Sequence, residues 1–180
     1  MSMKLFTVTI VSCETGSEYE VIRQALESCS IRVINEAVGR PQDFIDFLSG
    51  EGYFSSDFVI FSFHGMDGKF CMPELGERVY FDNEPRTDFG IEEIQTYCQI
   101  KTPVMINMGC GLGYQALADA FLEKHTNVYI GAEDVIDGLS SNFFVIRFFY
   151  EHCQNKRSLR EAFQLARNTD PETMLFRWFD

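Results

Sequence analysis

One histidine and one cysteine of this chain each stand beside glycine at the end of an apolar run. His64 follows the run at residues 57–63 and precedes Gly65, and Cys110 follows the run at residues 102–108 and precedes Gly111. A cysteine thiolate is a nucleophile, and a nearby histidine can supply or take up the proton that the reaction moves. Glycine beside each residue leaves room for a substrate carbonyl and for backbone N–H groups that bind an oxyanion. The two motifs therefore predict a nucleophilic cysteine–histidine site.

The rest of the chain alternates apolar runs with amphipathic segments, which predicts the elements that carry these two residues. Strands are predicted at residues 5–11, 31–34, 57–63, 102–108, 127–131 and 174–179. Helices are predicted at residues 18–29, 41–48, 91–100, 114–124, 139–153 and 158–167. Residues 66–90 are predicted to form a loop with a small hairpin at 78–81. The alternation predicts a three-layer α/β sandwich with a mostly parallel sheet of about six strands, as one domain over residues 1–180.

Ligands of such open sheets bind at the carboxyl ends of the strands, where both His64 and Cys110 are predicted to lie. A single histidine or cysteine usually has a structural role, but their shared position beside glycine favours a functional pair. His125 and His152 are predicted near helix ends and are given no catalytic role.

The same two motifs resemble those of the caspase-like cysteine peptidases. The sequence VIFSFHG at residues 59–65 resembles their hydrophobic block followed by His-Gly, and VMINMGCG at residues 104–111 resembles their block that ends at the cysteine. The likeness is greatest to the CHAT domains. It continues through residues 113–122 and 158–167 to the closing strand, and so covers about two thirds of the chain.

The resemblance implies that the chain is a cysteine peptidase with Cys110 as the nucleophile and His64 as the general acid. The backbone N–H groups of Gly65 and Cys110 would form the oxyanion hole, and neither a third catalytic side chain, a metal nor a cofactor is implied. Two features depart from the family pattern. Gly109 stands where alanine is common, and residues 131–137 lack the tryptophan that relatives often have there.

Three acidic residues follow the fifth predicted strand. Glu133 or Asp134 could line the first specificity pocket and select a basic side chain, but an ordinary role as loop acids is the simpler interpretation. Asp137 is expected to cap the next helix at its N-terminus.

Composition and charge exclude several other classes of protein. The formal net charge of -12 disfavours nucleic acid as a partner, because an acidic surface repels phosphate. No apolar run approaches the roughly 18–20 residues that span a bilayer, and a cytoplasmic location is the default expectation. The six cysteines are scattered without a Cys-x-x-Cys pair, so we expect them to be reduced.

Three other kinds of site fail on the residues present. His64 and Cys71 could begin a zinc site, but a further pair of ligands is missing. A dinucleotide fingerprint would need glycine at Tyr114, and a hydrolase elbow would need glycine at Met108 and Leu112.

Two functional hypotheses remain open. In the first, the chain is an endopeptidase that cleaves a protein or peptide substrate through a thioacyl-enzyme, and an activating partner protein orders its loops. In the second, it is a catalytically silent caspase-like module that binds other proteins in signalling. The presence of both His64 and Cys110 favours the first.

Overall fold

A computed structural model describes residues 6–180 of the chain. The strands are β1 (Thr7–Ser12), β2 (Arg32–Ala37), β3 (Phe58–Ser62), β4 (Gly65–Met66), β5 (Lys69–Phe70), β6 (Val104–Asn107), β7 (Val128–Ala132) and β8 (Phe176–Phe179). The α-helices are α1 (Glu18–Ser28), α2 (Pro41–Ser49), α3 (Ile91–Tyr97), α4 (Gln115–Leu122), α5 (Gly138–Phe149) and α6 (Leu159–Arg167). Helix α5 continues into a π-helical turn, Tyr150–Gln154, and a 3₁₀ turn, Thr173–Leu175, precedes β8.

The central sheet of the described residues has six strands in the order β2-β1-β3-β6-β7-β8. All neighbours in it are parallel except β8, which runs antiparallel to β7. The predicted α/β sandwich with a mostly parallel sheet of about six strands is therefore confirmed.

Helices cover both faces of the sheet, which explains why its central strands are apolar throughout. In β3, Phe58 and Ile60 face the layer of α1, α5 and α6, whereas Val59 and Phe61 face the layer of α2, α3 and α4. All five residues of β3 are buried. The strand ends at Ser62, so His64 leaves the sheet two residues later.

The hairpin predicted at residues 78–81 is wrong, because none of those residues lies in a strand. The hairpin is β4–β5, immediately after His64, and its turn residues Asp67 and Gly68 both have positive φ. Asp-Gly favours this tight turn geometry. The backbone groups of residues 78–81 form hydrogen bonds with side chains instead. The Val79 carbonyl accepts from Arg40, and the Phe81 N–H donates to Glu84.

Smaller differences concern element ends. Residue 5, where the first strand was predicted to begin, lies outside the described residues. Helix α3 ends at Tyr97 rather than at residue 100, because the N–H groups of Gln99 and Ile100 donate to the carbonyl of Leu48. The predicted cap of α5 is confirmed: the Asp137 side chain accepts from the first backbone N–H groups of that helix. Among residues 6–180, no helix is long and apolar enough to cross a membrane.

Candidate active site

His64 and Cys110 leave the sheet from two neighbouring parallel strands. Phe61 of β3 is in register with Asn107 of β6, and His64 and Cys110 each follow three residues later. The N–H of Met108 donates to the carbonyl of Phe61 at 2.9 Å, which continues the ladder beyond the strands. The two residues therefore emerge at the same level of the sheet's carboxyl edge.

Glycines bring the two segments into direct contact at this edge. A Cβ atom on Gly65 would lie 2.2 Å from the Cys110 carbonyl oxygen, and one on Gly109 would lie 2.9 Å from the Phe63 carbonyl oxygen. Any side chain at Gly65 would force the backbones apart. Glycine at this position is thus required by the packing of one motif against the other.

His64 is exposed, and its ring is held by the loop after β1. Its Nε2 atom lies 3.2 Å from the backbone carbonyl oxygen of Glu14. When Nε2 carries the proton, it donates to this carbonyl, and Nδ1 is then the nitrogen left for chemistry. The ring is thus oriented by a backbone oxygen rather than by a carboxylate.

The thiol of Cys110 is half-buried and contacts the loop between β7 and α5. Its Sγ atom lies 3.5 Å from both the backbone nitrogen and the backbone oxygen of Ile136. The thiol can donate to the oxygen, and a thiolate can accept from the N–H. Within residues 6–180, no hydrogen bond joins His64 to Cys110. Catalytic hydrogen bonds are often long before substrate binds, so this geometry is compatible with a working pair.

Four of the other cysteines are weak nucleophiles. Burial raises the pKa of the Cys13 thiol to about 12 and the pKa of Cys98 and Cys153 to about 11. Burial also raises the pKa of Cys71. Because the thiolate is the reactive form, these four residues remain largely unreactive near neutral pH. All six cysteines of the chain are free, as predicted.

A buried hydrogen-bond network fixes the turn that carries Cys110. The Asn107 side-chain oxygen accepts from the Gly109 N–H at 3.0 Å, and its Nδ2 donates to the Tyr129 hydroxyl at 2.9 Å. That hydroxyl donates to the carbonyl of Leu112 at 2.9 Å. Burial raises the pKa of Tyr129, so its hydroxyl stays protonated as a donor. Sequence reasoning missed both side chains, although an asparagine inside an apolar strand was a usable signal.

The predicted oxyanion donors lie at the point where the two motifs meet. Within the described residues, no acceptor is found for the Cys110 N–H, which lies outside any helix or strand. Gly65 belongs to the hairpin strand β4 and packs on the Cys110 carbonyl. This placement is compatible with both N–H groups as oxyanion donors. These two roles stay predictions.

The two acids named as pocket residues lie beside the turn but have other partners. Glu133 forms an ion pair with Arg177 of β8. The side chain of Asp134 accepts from the N–H of Val135 at 2.7 Å, and its carbonyl accepts from Gly111 at 3.1 Å. Both line a pocket with Tyr114 and other residues of the turn. A role in selecting a basic side chain stays a prediction, and the charge of Glu133 is already matched.

A third acid, Glu18, lies at the site and was missed by sequence reasoning. It is half-buried in the first turn of α1, and its carboxylate rests against Gly138, the first residue of α5. Burial raises the pKa of Glu18, the charge of His64 lowers it, and the charge of Asp137 raises it again. Acids are common in first helical turns, so its sequence position gave no signal.

The similarities found to known proteins are all to solved structures. No family model matches the chain, and no curated protein matches it. The Arg-specific cysteine proteinase gingipain R aligns with 95% of this chain and 44% of its own at 14% identity, with a TM-score of 0.64. Separase from Saccharomyces cerevisiae, solved with securin, aligns with 98% of this chain and 12% of its own at 15% identity, with a TM-score of 0.57.

A secreted cysteine protease from Bacteroides thetaiotaomicron, solved with an irreversible peptide inhibitor, aligns with 89% of this chain and 57% of its own. Its identity is 10% and its TM-score 0.52. The chain thus spans less than two thirds of each of these three proteins. At such identities the likeness concerns the fold alone. The fold of this chain is that of the caspase-like cysteine peptidases.

Proposed function

We propose that the chain is a cysteine endopeptidase in which Cys110 and His64 form the catalytic pair. The observation that carries the proposal is their shared level at the ends of β3 and β6, with Gly65 packed on the Cys110 carbonyl. A peptide carbonyl bound at this point would lie between the two motifs that carry the thiol, the imidazole and the two backbone N–H groups.

The first half of the reaction forms a thioester. The Cys110 thiolate attacks the carbonyl carbon of the scissile peptide bond, and the electron pair of the C=O bond moves onto the oxygen. The N–H groups of Cys110 and Gly65 bind this oxyanion. The His64 imidazolium donates its proton to the leaving nitrogen, the C–N bond breaks, and the amine product departs.

The second half releases the acyl group. His64, now neutral, takes a proton from a water molecule as its oxygen attacks the thioester carbon. The tetrahedral intermediate collapses, the C–S bond breaks, and the carboxylic acid product leaves. Cys110 returns to the thiolate and His64 to the imidazolium, so the pair is restored without a metal or a cofactor.

A partner protein that activates the site belongs to this proposal. In the free chain, the Cys110 thiol contacts Ile136 and the His64 ring contacts Glu14, so each side chain is held by a different loop. Binding of substrate or of a partner to these loops would release both side chains toward each other. Separase, whose fold is similar, was solved in complex with securin.

The test is cleavage of a peptide library, with the new termini identified by mass spectrometry. We expect the wild-type chain and the matched control Cys29→Ala to produce the same cuts, because Cys29 is half-buried directly after α1 and belongs to neither motif. Cys110→Ala should produce none. Equal cleavage by Cys110→Ala would contradict the proposal. Absence of cleavage, together with a Cys110 no more reactive than Cys29, would favour the silent binding module.

A further inference from the structure

We propose that the groove between α1 and α5 binds a basic amphipathic helix of a partner protein. The groove lies on the outer surface of the helical layer that α1, α5 and α6 form against the sheet. The inference concerns a binding surface and does not depend on the catalytic role of Cys110.

Helix α5 has a second line of apolar side chains in addition to the side that it buries in the core. Leu139, Phe143 and Tyr150 are exposed, and Ile146 is half-buried. These four residues are separated by four, three and four positions, so they lie in one line along α5 and the turn that continues it. A surface helix usually presents polar residues to solvent, so this exposed apolar line indicates an interaction surface.

Helix α1 forms the other side of the groove. Val21 is exposed on it, and Ala25 and Cys29 follow at helical spacing and are half-buried. Between the two helices lies a cavity of about 300 Å³ that is open to solvent. Its lining is mostly apolar and includes Leu26, Cys29, Phe143, Ile146, Phe149 and Tyr150. The cavity can therefore accept a large apolar side chain from another molecule, as anchor pockets of protein interfaces do.

The shape of the groove fits a helix. Glu18 at the start of α1 contacts Gly138 at the start of α5, and the Gln154 side chain beyond α5 donates to the Cys29 carbonyl at 3.3 Å. The two helices therefore run side by side in the same direction. From residue 139 to residue 150 the groove is about 17 Å long, at about 1.5 Å per residue. A partner helix of about three turns matches this length and would fill the groove with apolar residues three and four positions apart.

The cations of the two helices are already paired. Arg23 of α1 forms an ion pair with Glu27 at 3.7 Å, and Arg147 of α5 forms one with Glu151 at 2.6 Å. These two arginines are the basic residues of α1 and α5. An acidic partner would therefore find no free positive charge on either helix.

Unmatched negative charge lies at the end of the groove where both helices begin. Glu18 and Asp137 interact electrostatically, and the Glu172 carboxylate lies 3.3 Å from the backbone nitrogen of Asp137. Within residues 6–180, none of these three acids forms an ion pair. Lysine or arginine on a partner helix would match them. A second copy of the chain, with its net charge of -12, or an anionic membrane would be repelled.

The test compares two fluorescein-labelled helical peptides of about 14 residues, roughly four turns. Both carry leucine along one side, and the remaining positions are lysine in one peptide and glutamate in the other. Fluorescence anisotropy should show at least about tenfold tighter binding of the lysine peptide to the wild-type chain. Phe143→Ser should weaken this binding at least about tenfold, because an aromatic anchor supplies much of the affinity of such a contact. The matched control is Phe54→Ser, which changes an exposed phenylalanine outside the groove.

Alkylation of Cys29 by iodoacetamide shows where the peptide binds. Cys29 is half-buried and lines the cavity, so a helix in the groove would cover its thiol. The lysine peptide at about ten times its Kd should slow this alkylation about tenfold. The glutamate peptide at the same concentration should leave the rate unchanged.

Three results would overturn the inference. The first is equal affinity of wild type and Phe143→Ser for the lysine peptide, which would mean that the peptide adheres to the acidic surface outside the groove. The second is equal or tighter binding of the glutamate peptide. The third is a wild-type dimer in analytical ultracentrifugation that Phe143→Ser converts to a monomer, because a second copy would then cover the groove. The proposed function is tested separately, by the chemistry of Cys110.

Discussion

Two glutamates, the buried Glu84 and the half-buried Glu18, have opposite surroundings in this fold. The side chain of Glu84 is fully buried, and it accepts from Arg40 through two nitrogens and from the N–H groups of Gln42 and Phe81. These bonds hold the pKa of Glu84 at about 2. Arg40 also stacks on the ring of Phe81, 3.4 Å from its centroid. The pair ties the loop after β5 to α2.

Glu18 has none of these donors within the described residues. Burial raises its pKa, and the neighbouring His64 opposes that effect only in part. The comparison teaches that burial alone does not define the role of an acid. A carboxylate whose oxygens are satisfied internally holds the fold together, whereas one without internal donors takes its hydrogen bonds from solvent.

The largest effect is expected from Glu84→Gln. The neutral amide of glutamine has one acceptor oxygen, so the Arg40 guanidinium loses one of its two hydrogen bonds to residue 84 and its matching charge. Unfolding in urea should show a loss of about 2–4 kcal/mol in the free energy of unfolding. Glu77→Gln, which changes an exposed acid of the same loop, should remain within about 0.5 kcal/mol of wild type. An equally small change in Glu84→Gln would contradict the claim that the hydrogen bonds of Glu84 stabilise the fold.

The contribution of Glu84 should also disappear in acid. Its pKa falls from 4.5 in the unfolded chain to about 2 in the folded chain, so its stabilisation is complete above pH 4.5 and is lost as the pH falls toward 2. The difference in unfolding free energy between wild type and Glu84→Gln should therefore narrow over that interval. A difference that stays constant between pH 5 and pH 2.5 would show that charge is not the cause.

Tyr129→Phe tests the buried hydrogen bonds that hold the turn of Cys110. Like those of Glu84, these hydrogen bonds join groups within the protein. Removing the hydroxyl leaves the Asn107 amide and the Leu112 carbonyl without their partner in a buried place. We expect a loss of about 1–3 kcal/mol in the free energy of unfolding and slower alkylation of Cys110. Tyr150→Phe, which changes an exposed tyrosine, is the control. Unchanged stability and alkylation would mean that the network does not hold the turn.

The smallest effect on stability is expected from Glu18→Gln, which should stabilise the folded chain rather than destabilise it. Because folding raises the pKa of Glu18, its charged form opposes folding: its stabilisation is present below pH 4.5 and is lost as the pH rises through the folded pKa. Glu18→Gln should therefore raise the melting temperature at pH 7, by about 1–2 °C, and leave it unchanged at pH 4. A lower melting temperature at pH 7 would mean that Glu18 is satisfied in the way Glu84 is.

The sequence predicted the features that depend on local pattern. The alternation of apolar runs and amphipathic segments predicted the sheet and its helices, and the strand ends predicted the common level of His64 and Cys110. The cap at Asp137 was also predictable, because the aspartate lies next to the helix it caps. In each case the residues that decide the feature are close together in the chain.

Features that depend on distant residues were not predictable. Glu18 meets Gly138, Arg40 meets Glu84, and Asn107 meets Tyr129 only after the sheet has formed. The hairpin after His64 differs from these, because its turn at Asp67-Gly68 is a local feature of the sequence.

Several expectations stay predictions. They are the catalytic roles of the pair, the selection of a basic side chain by Glu133 or Asp134, and the likeness to CHAT domains. The single domain over residues 1–180, the cytoplasmic location and the exclusion of nucleic acid belong with them.

The central claim is that His64 activates Cys110, and iodoacetamide labelling tests it most directly. Mass spectrometry would follow all six thiols between pH 5 and pH 9 in wild type and in His64→Ala. We expect Cys110 to be modified at least about tenfold faster than Cys29 at pH 7, and His64→Ala to remove this difference in rate. The buried thiols of Cys13, Cys98 and Cys153 should react slowly, because burial raises their pKa. A Cys110 that reacts no faster than Cys29, or equally fast without His64, would contradict the central claim.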